Sequence, residues 1–70
     1  MTIYERIRAL REDSEPPMSQ EELGRKLHKT QRSVSRLENG ESHLQDVDII
    51  AYCKVFGVTA DYILGLIDKK

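Results

Sequence analysis

The chain has no tryptophan, one phenylalanine and a single cysteine, Cys53. A lone cysteine excludes an internal disulfide framework, and Cys53 reads as a small core residue rather than a reactive thiol. No apolar run approaches the roughly 18 residues of a membrane span, and none reads as a signal segment, so a soluble, cytoplasmic chain is expected. No glycine-rich phosphate loop, no nucleophile beside a base and no histidine or cysteine pair at ligand spacing occurs; neither an enzyme nor a metal or cofactor site is expected. Without repeats or low-complexity tracts, residues 1–70 read as one domain, whose core supplies only about 3–5 kcal/mol of net stability. Small-molecule control would then need another chain.

What is present is charge, unevenly placed. The formal net charge is −1, which at face value argues against a nucleic-acid partner, since phosphate binding is largely electrostatic. Yet residues 25–36 carry Arg25, Lys26, Lys29, Arg32 and Arg36 and no acid, whereas acids outnumber cations on both flanks. A solvated basic face is the plain explanation of such a run. Its position within a helical motif favours a DNA-facing one.

That motif runs from Ser19 to Gly40. Ser19 with Glu22 is a capping box, and Met18 with Leu23 has the spacing of a hydrophobic staple, so a helix starts here with Leu23 and Leu27 on one face. Thr30 caps a second helix with Val34 and Leu37 turned inward, and Asn39-Gly40 supplies residues that tolerate a left-handed close. Two short helices joined by about three residues form a helix-turn-helix, whose second helix can enter the major groove of DNA.

Ser19-Gln20-Glu21-Glu22-Leu23, Thr30-Gln31, Val34, Ser35, Leu37-Glu38-Asn39-Gly40 and Phe56-Gly57-Val58-Thr59 resemble the lambdoid phage repressor and Cro type of helix-turn-helix domain (XRE family). The resemblance covers nearly the whole chain and implies an all-α, compact five-helix, lambda-repressor-like fold. Departures are specific. The family tends to have alanine at the position of Gly24, glycine at that of His28 and an aliphatic residue at that of Lys29. A small Gly24 suits a close helix crossing. At His28, a turn requiring positive φ would strain the histidine by about 1 kcal/mol. Lys29 forgoes a staple and would add a cation next to DNA.

Chemistry and resemblance together select the DNA-contacting residues. Gln31 can pair with an adenine edge and Arg32 with guanine, while Arg36 lies one turn further along the same face. The resemblance puts Gln31, Arg32 and Arg36 at base-reading positions, with Thr30 near a thymine methyl. Phosphate contacts are expected from the N–H groups opening the first motif helix, from Gln20, and from Lys29, Asn39, Ser42 and His43. Glu38 opposes its helix macrodipole. Arg11 is its expected partner, and in similar repressor domains this salt bridge ties the first helix to the recognition helix.

Around the motif, Ile3, Ile7 and Leu10 give residues Thr2 to Asp13 one apolar stripe, and Pro16-Pro17 stops that helix. The family crosses the next gap with fewer residues; the acidic loop here reads as a spacer with Glu15 turned from DNA. From Leu44 to Phe56 apolar residues cover more than one face, as in a helix buried between others. Its start is ambiguous between a Ser42–Gln45 box and a Leu44–Ile49 staple around Gln45, which family spacing favours, and Asp46 leaves the register open. Thr59 caps a last helix whose Tyr62, Leu66 and Ile67 exceed a monomer's needs, suggesting a weak homodimer through them and the loop before Leu44. The leading reading is a transcriptional regulator, a repressor binding palindromic double-stranded DNA. The rival is a protein-interaction module of the same fold, an antitoxin or regulatory subunit, with DNA binding secondary.

Overall fold

Hydroxyl side chains start four of the five helices in the computed structural model, which describes residues 1–68. The helices are α1 (Ile3–Glu12), α2 (Gln20–Leu27), α3 (Gln31–Glu38), α4 (Asp46–Phe56) and α5 (Ala60–Leu64). Thr2 accepts from the Glu5 N–H at 3.1 Å while the Glu5 carboxylate accepts from the Thr2 N–H at 2.8 Å, a complete capping box. That backbone N–H also holds the Glu5 carboxyl below its usual value. Ser19, Thr30 and Thr59 accept from Glu22, Ser33 and Tyr62 N–H groups at 3.1, 3.1 and 3.2 Å. Each such cap contributes about 1 kcal/mol. At Ser19 the return half of the expected box is replaced: its hydroxyl lies 3.5 Å from the Glu22 carboxylate. The fourth helix starts at Gln45, whose N–H donates to Asp48 at 3.0 Å. Asp46 therefore sits in the first turn, where the helix N-terminus favours a carboxylate.

The core joins Ile7 and Leu10 of α1, Leu23 and Leu27 of α2, Val34 and Leu37 of α3, Tyr52 of α4, and Val58, Tyr62 and Ile63 at the C-terminal end. Helices α2 and α3 pack on each other, with α1 against α3 and α5, and α4 against α2 and α5. Gly24 lies where the turn wraps back over α2: a Cβ there would stand 2.7 Å from the Lys29 carbonyl oxygen. The same wrap lets the Lys29 N–H donate to the Gly24 carbonyl at 2.7 Å.

His28 closes α2 in the left-handed region, with φ 58° and ψ 42°. At the end of α3, Asn39 stays right-handed and Gly40 alone takes positive φ.

Three expectations are corrected. Helix α4 buries only Asp48 and Tyr52 fully, leaving Val47 60% and Ile50 54% exposed. Its neighbours α2 and α5 cover one side, and among the described residues nothing covers the other. Helix α5 stops at Leu64 because Gly65 turns left-handed, so Leu66 and Ile67 follow the helix rather than extend it. Tyr62, expected at a dimer interface, is 7% exposed within the core, and the Arg6 guanidinium stands 5.2 Å over its ring. Apolar spacing put Tyr62 on a spare face; α1 occupies that face. No helix among the described residues is long and apolar enough to cross a membrane.

Relief of the left-handed strain gives a direct test. His28→Gly is expected to stabilise the domain by about 1 kcal/mol, a rise of roughly 4–8 °C in the thermal midpoint followed by circular dichroism. His28→Val is expected to lower it.

Candidate nucleic-acid interface

The base of α3 is held by a buried carboxylate. Glu38 is 4% exposed, and Arg11 grips it with a two-pronged fork, Nε to Oε2 at 2.7 Å and Nη2 to Oε1 at 3.0 Å. Gln20, the first residue of α2, donates its amide to Oε1 at 3.1 Å. The remaining Arg11 nitrogen, Nη1, donates to the Met18 carbonyl at 2.9 Å. One side chain thus ties together α1, the α1–α2 loop and α3, and Gln20 adds α2. The bond to Glu38 raises the already high pKa of Arg11. Ser14 lies 2.9 and 3.0 Å from the Arg11 and Pro16 carbonyls, within donating reach of both, and folds the proline loop against the end of α1 with Glu15 exposed.

Helix α3 turns Val34 and Leu37 into the core and leaves Thr30, Gln31, Arg32 and Arg36 exposed. Thr30 directs its hydroxyl to Ser33, accepting its N–H and donating to its Oγ at 3.1 Å. Its methyl group is the part left for an outside partner. Arg32 and Arg36 are one turn apart on the outward face.

The five cations of residues 25–36 have different fates. Arg25 pairs with Glu21 at 3.0 Å on the exposed side of α2. Lys29 places its ammonium 3.0 Å from Asp48 of α4. Lys26, Arg32 and Arg36 form no ion pair among the described residues. The sequence expectation put Lys29 and the Gln20 side chain on phosphate; both side chains instead bond buried carboxylates within the protein. Asn39, at the end of α3, and His43 are exposed and Ser42 is half-buried; Ser42 and His43 border a cleft. That cleft, of about 210 Å³ between α3 and the start of α4, is lined by Ser42, His43, Lys29, Ser33 and Asp48. Leu66 and Ile67 are 71% and 42% exposed. Sequence reasoning missed the roles of Gln20 and Asp48; the third-residue position of Asp48 after Gln45 was the one local signal, since an acid there caps a helix.

Tyr52 lies near this network with its hydroxyl buried and without a hydrogen-bond partner among the described residues. Burial foremost, then the negative charges of Glu38 and Asp48, push its phenol well above the ordinary range.

A family model described as helix-turn-helix matches residues 7–63. No curated protein and no solved structure matches the chain.

Arg11→Met strands Glu38 without its main partner and is expected to remove about 3–5 kcal/mol, comparable with the roughly 3–5 kcal/mol such a core supplies. Circular dichroism at 25 °C should show a largely unfolded chain, and Arg11→Met/Glu38→Gln should recover part of the loss. For Tyr52, neutral when folded, stability is intact below the unfolded phenol pKa of about 10 and falls as pH rises above it toward the higher folded value. Tyr52→Phe is expected to lack this alkaline loss and to gain about 1 kcal/mol at neutral pH by deleting an orphan hydroxyl, both read from denaturant melts across pH.

Proposed function

The chain belongs to the XRE family of Cro/C1-type helix-turn-helix domains, DNA-binding transcription regulators, and on that premise we propose that it is a repressor that seats α3 in the major groove of a palindromic operator. The observation that carries this reading is the exposed Gln31, Arg32 and Arg36 on a helix whose base is clamped from three sides. A side chain reads a base edge only if its backbone is held still, and the Glu38 network holds this one. Arg32 approaches guanine O6 and N7, Gln31 an adenine edge, and Arg36 a base or phosphate one turn on. Thr30 offers its methyl to thymine. Lys26, the N–H groups opening α2, Asn39, Ser42 and His43 contact the phosphates that set the register.

A two-fold operator calls for two copies of the domain. Leu66 and Ile67, with the loop before Leu44, supply the exposed surface for a weak homodimer, and Tyr62 backs it from the core.

Selection of bound sites from a random duplex pool is expected to return two related half-sites. On the selected site Arg32→Ala and Gln31→Ala should each cost about 1–3 kcal/mol and relax preference at one base, whereas Lys26→Ala should weaken all sequences alike. Sedimentation equilibrium should detect self-association that Leu66→Ser reduces. Absence of salt-dependent duplex binding, with salt-insensitive capture of a protein instead, replaces this reading by that of an interaction module.

A further inference from the structure

Asp48 is a buried acid outside the Glu38 clamp. It is 6% exposed on the first turn of α4, where Oδ2 accepts the Gln45 N–H at 3.0 Å and Oδ1 stands 3.0 Å from Lys29 Nζ. Lys29 immediately precedes Thr30, the N-cap of α3. An ammonium at the entry to a groove-seated helix is well placed to neutralise a phosphate and release a counterion. Here the charge is instead drawn to α4, with the Lys29 side chain 30% exposed and that of Asp48 7%. Moving Lys29 to a phosphate would strand a desolvated carboxylate, and that loss exceeds what one solvated surface contact returns.

We propose that Asp48 withholds Lys29 from the DNA backbone, and so limits the number of phosphates the domain neutralises. This rests on the DNA-binding reading above. Asp48 is a positioning residue here, acting through Lys29. One fewer phosphate contact lowers affinity for all sequences alike, so a larger share of binding falls to the base-reading side chains.

The test is the salt dependence of duplex binding. Asp48→Asn keeps an oxygen for the Gln45 N–H but frees Lys29; its slope should steepen by about 0.9, so a roughly fourfold rise in salt costs it about 3.5-fold more affinity than the parent. Lys29→Gln/Asp48→Asn should return to the parent slope. Asp46→Asn, which removes the same charge from an exposed position of the same turn, should leave the slope unchanged. Lys29→Gln alone, which retains a donor for Asp48 and serves if Asp48→Asn does not fold, should also match the parent. An unchanged slope in Asp48→Asn, equal steepening in Asp46→Asn, or a shallower slope in either Lys29 variant overturns the assignment while the DNA-binding reading stands. A parent protein whose duplex binding shows no salt dependence overturns that reading, and this assignment with it.

Discussion

Glu38 determines how the helices of this domain meet. A carboxylate in the last turn of α3 opposes the helix macrodipole and, at 4% exposure, has lost its water. Both penalties are offset by groups from other segments: Arg11 from the end of α1, and Gln20 from the start of α2. Two apolar side chains of similar volume could offer comparable stability at that place. They would not specify direction, because dispersion is nearly isotropic while the guanidinium fork accepts its carboxylate in one plane. The fork's third nitrogen binds the Met18 carbonyl, so the same plane also sets where the proline loop delivers the chain to the Ser19 cap. The orientation of α3 is therefore a consequence of bonds made at its far end from the exposed Gln31 and Arg32.

The turn between α2 and α3 is constrained at a shorter range. The Lys29 carbonyl leaves no room for a side chain on Gly24, and His28 takes a conformation that costs an L-residue about 1 kcal/mol. In a domain whose net stability is about 3–5 kcal/mol, that strain is a sizeable fraction. It persists because the two residues after His28 are each held independently: the Lys29 N–H is bonded to Gly24, and Thr30 caps α3.

Interactions spanning three or four residues were legible in the sequence, because the residue types that make them are few. Ser19, Thr30 and Thr59 each cap the helix expected of them. The Arg11–Glu38 pair, 27 residues apart, was legible for a different reason: an acid at a helix C-terminus requires compensation, and the family resemblance named the partner. Lys29 and Asp48 had no such signal: Lys29 was expected at the DNA, and the place of Asp48 three residues after Gln45 points only to a local cap, not to a distant lysine. Apolar spacing likewise marked the faces of α4 and α5 without stating their neighbours. Tyr62 was covered by α1 and Val47 was left in solvent, outcomes decided by tertiary packing rather than periodicity.

The same packing sorts the cations. Composition places five positive side chains in residues 25–36 of a chain whose net charge is −1, and counting them would suggest a strongly basic surface. Arg25 is opposed by Glu21 in solvent, where such a pair is weak and exchanges readily with other anions. Lys29 is opposed by a nearly dry carboxylate and does not exchange so easily. The field that reaches outward is thus concentrated at Lys26, Arg32 and Arg36, and two of these lie on the face of α3 that carries Gln31. Acids elsewhere repel a polyanion from the remaining surface at distances below the Debye length, roughly 8 Å at physiological salt. If α3 is the groove-seated helix, as proposed, a domain charged in this way meets DNA weakly and in one orientation, and its affinity depends on what α3 finds in the groove.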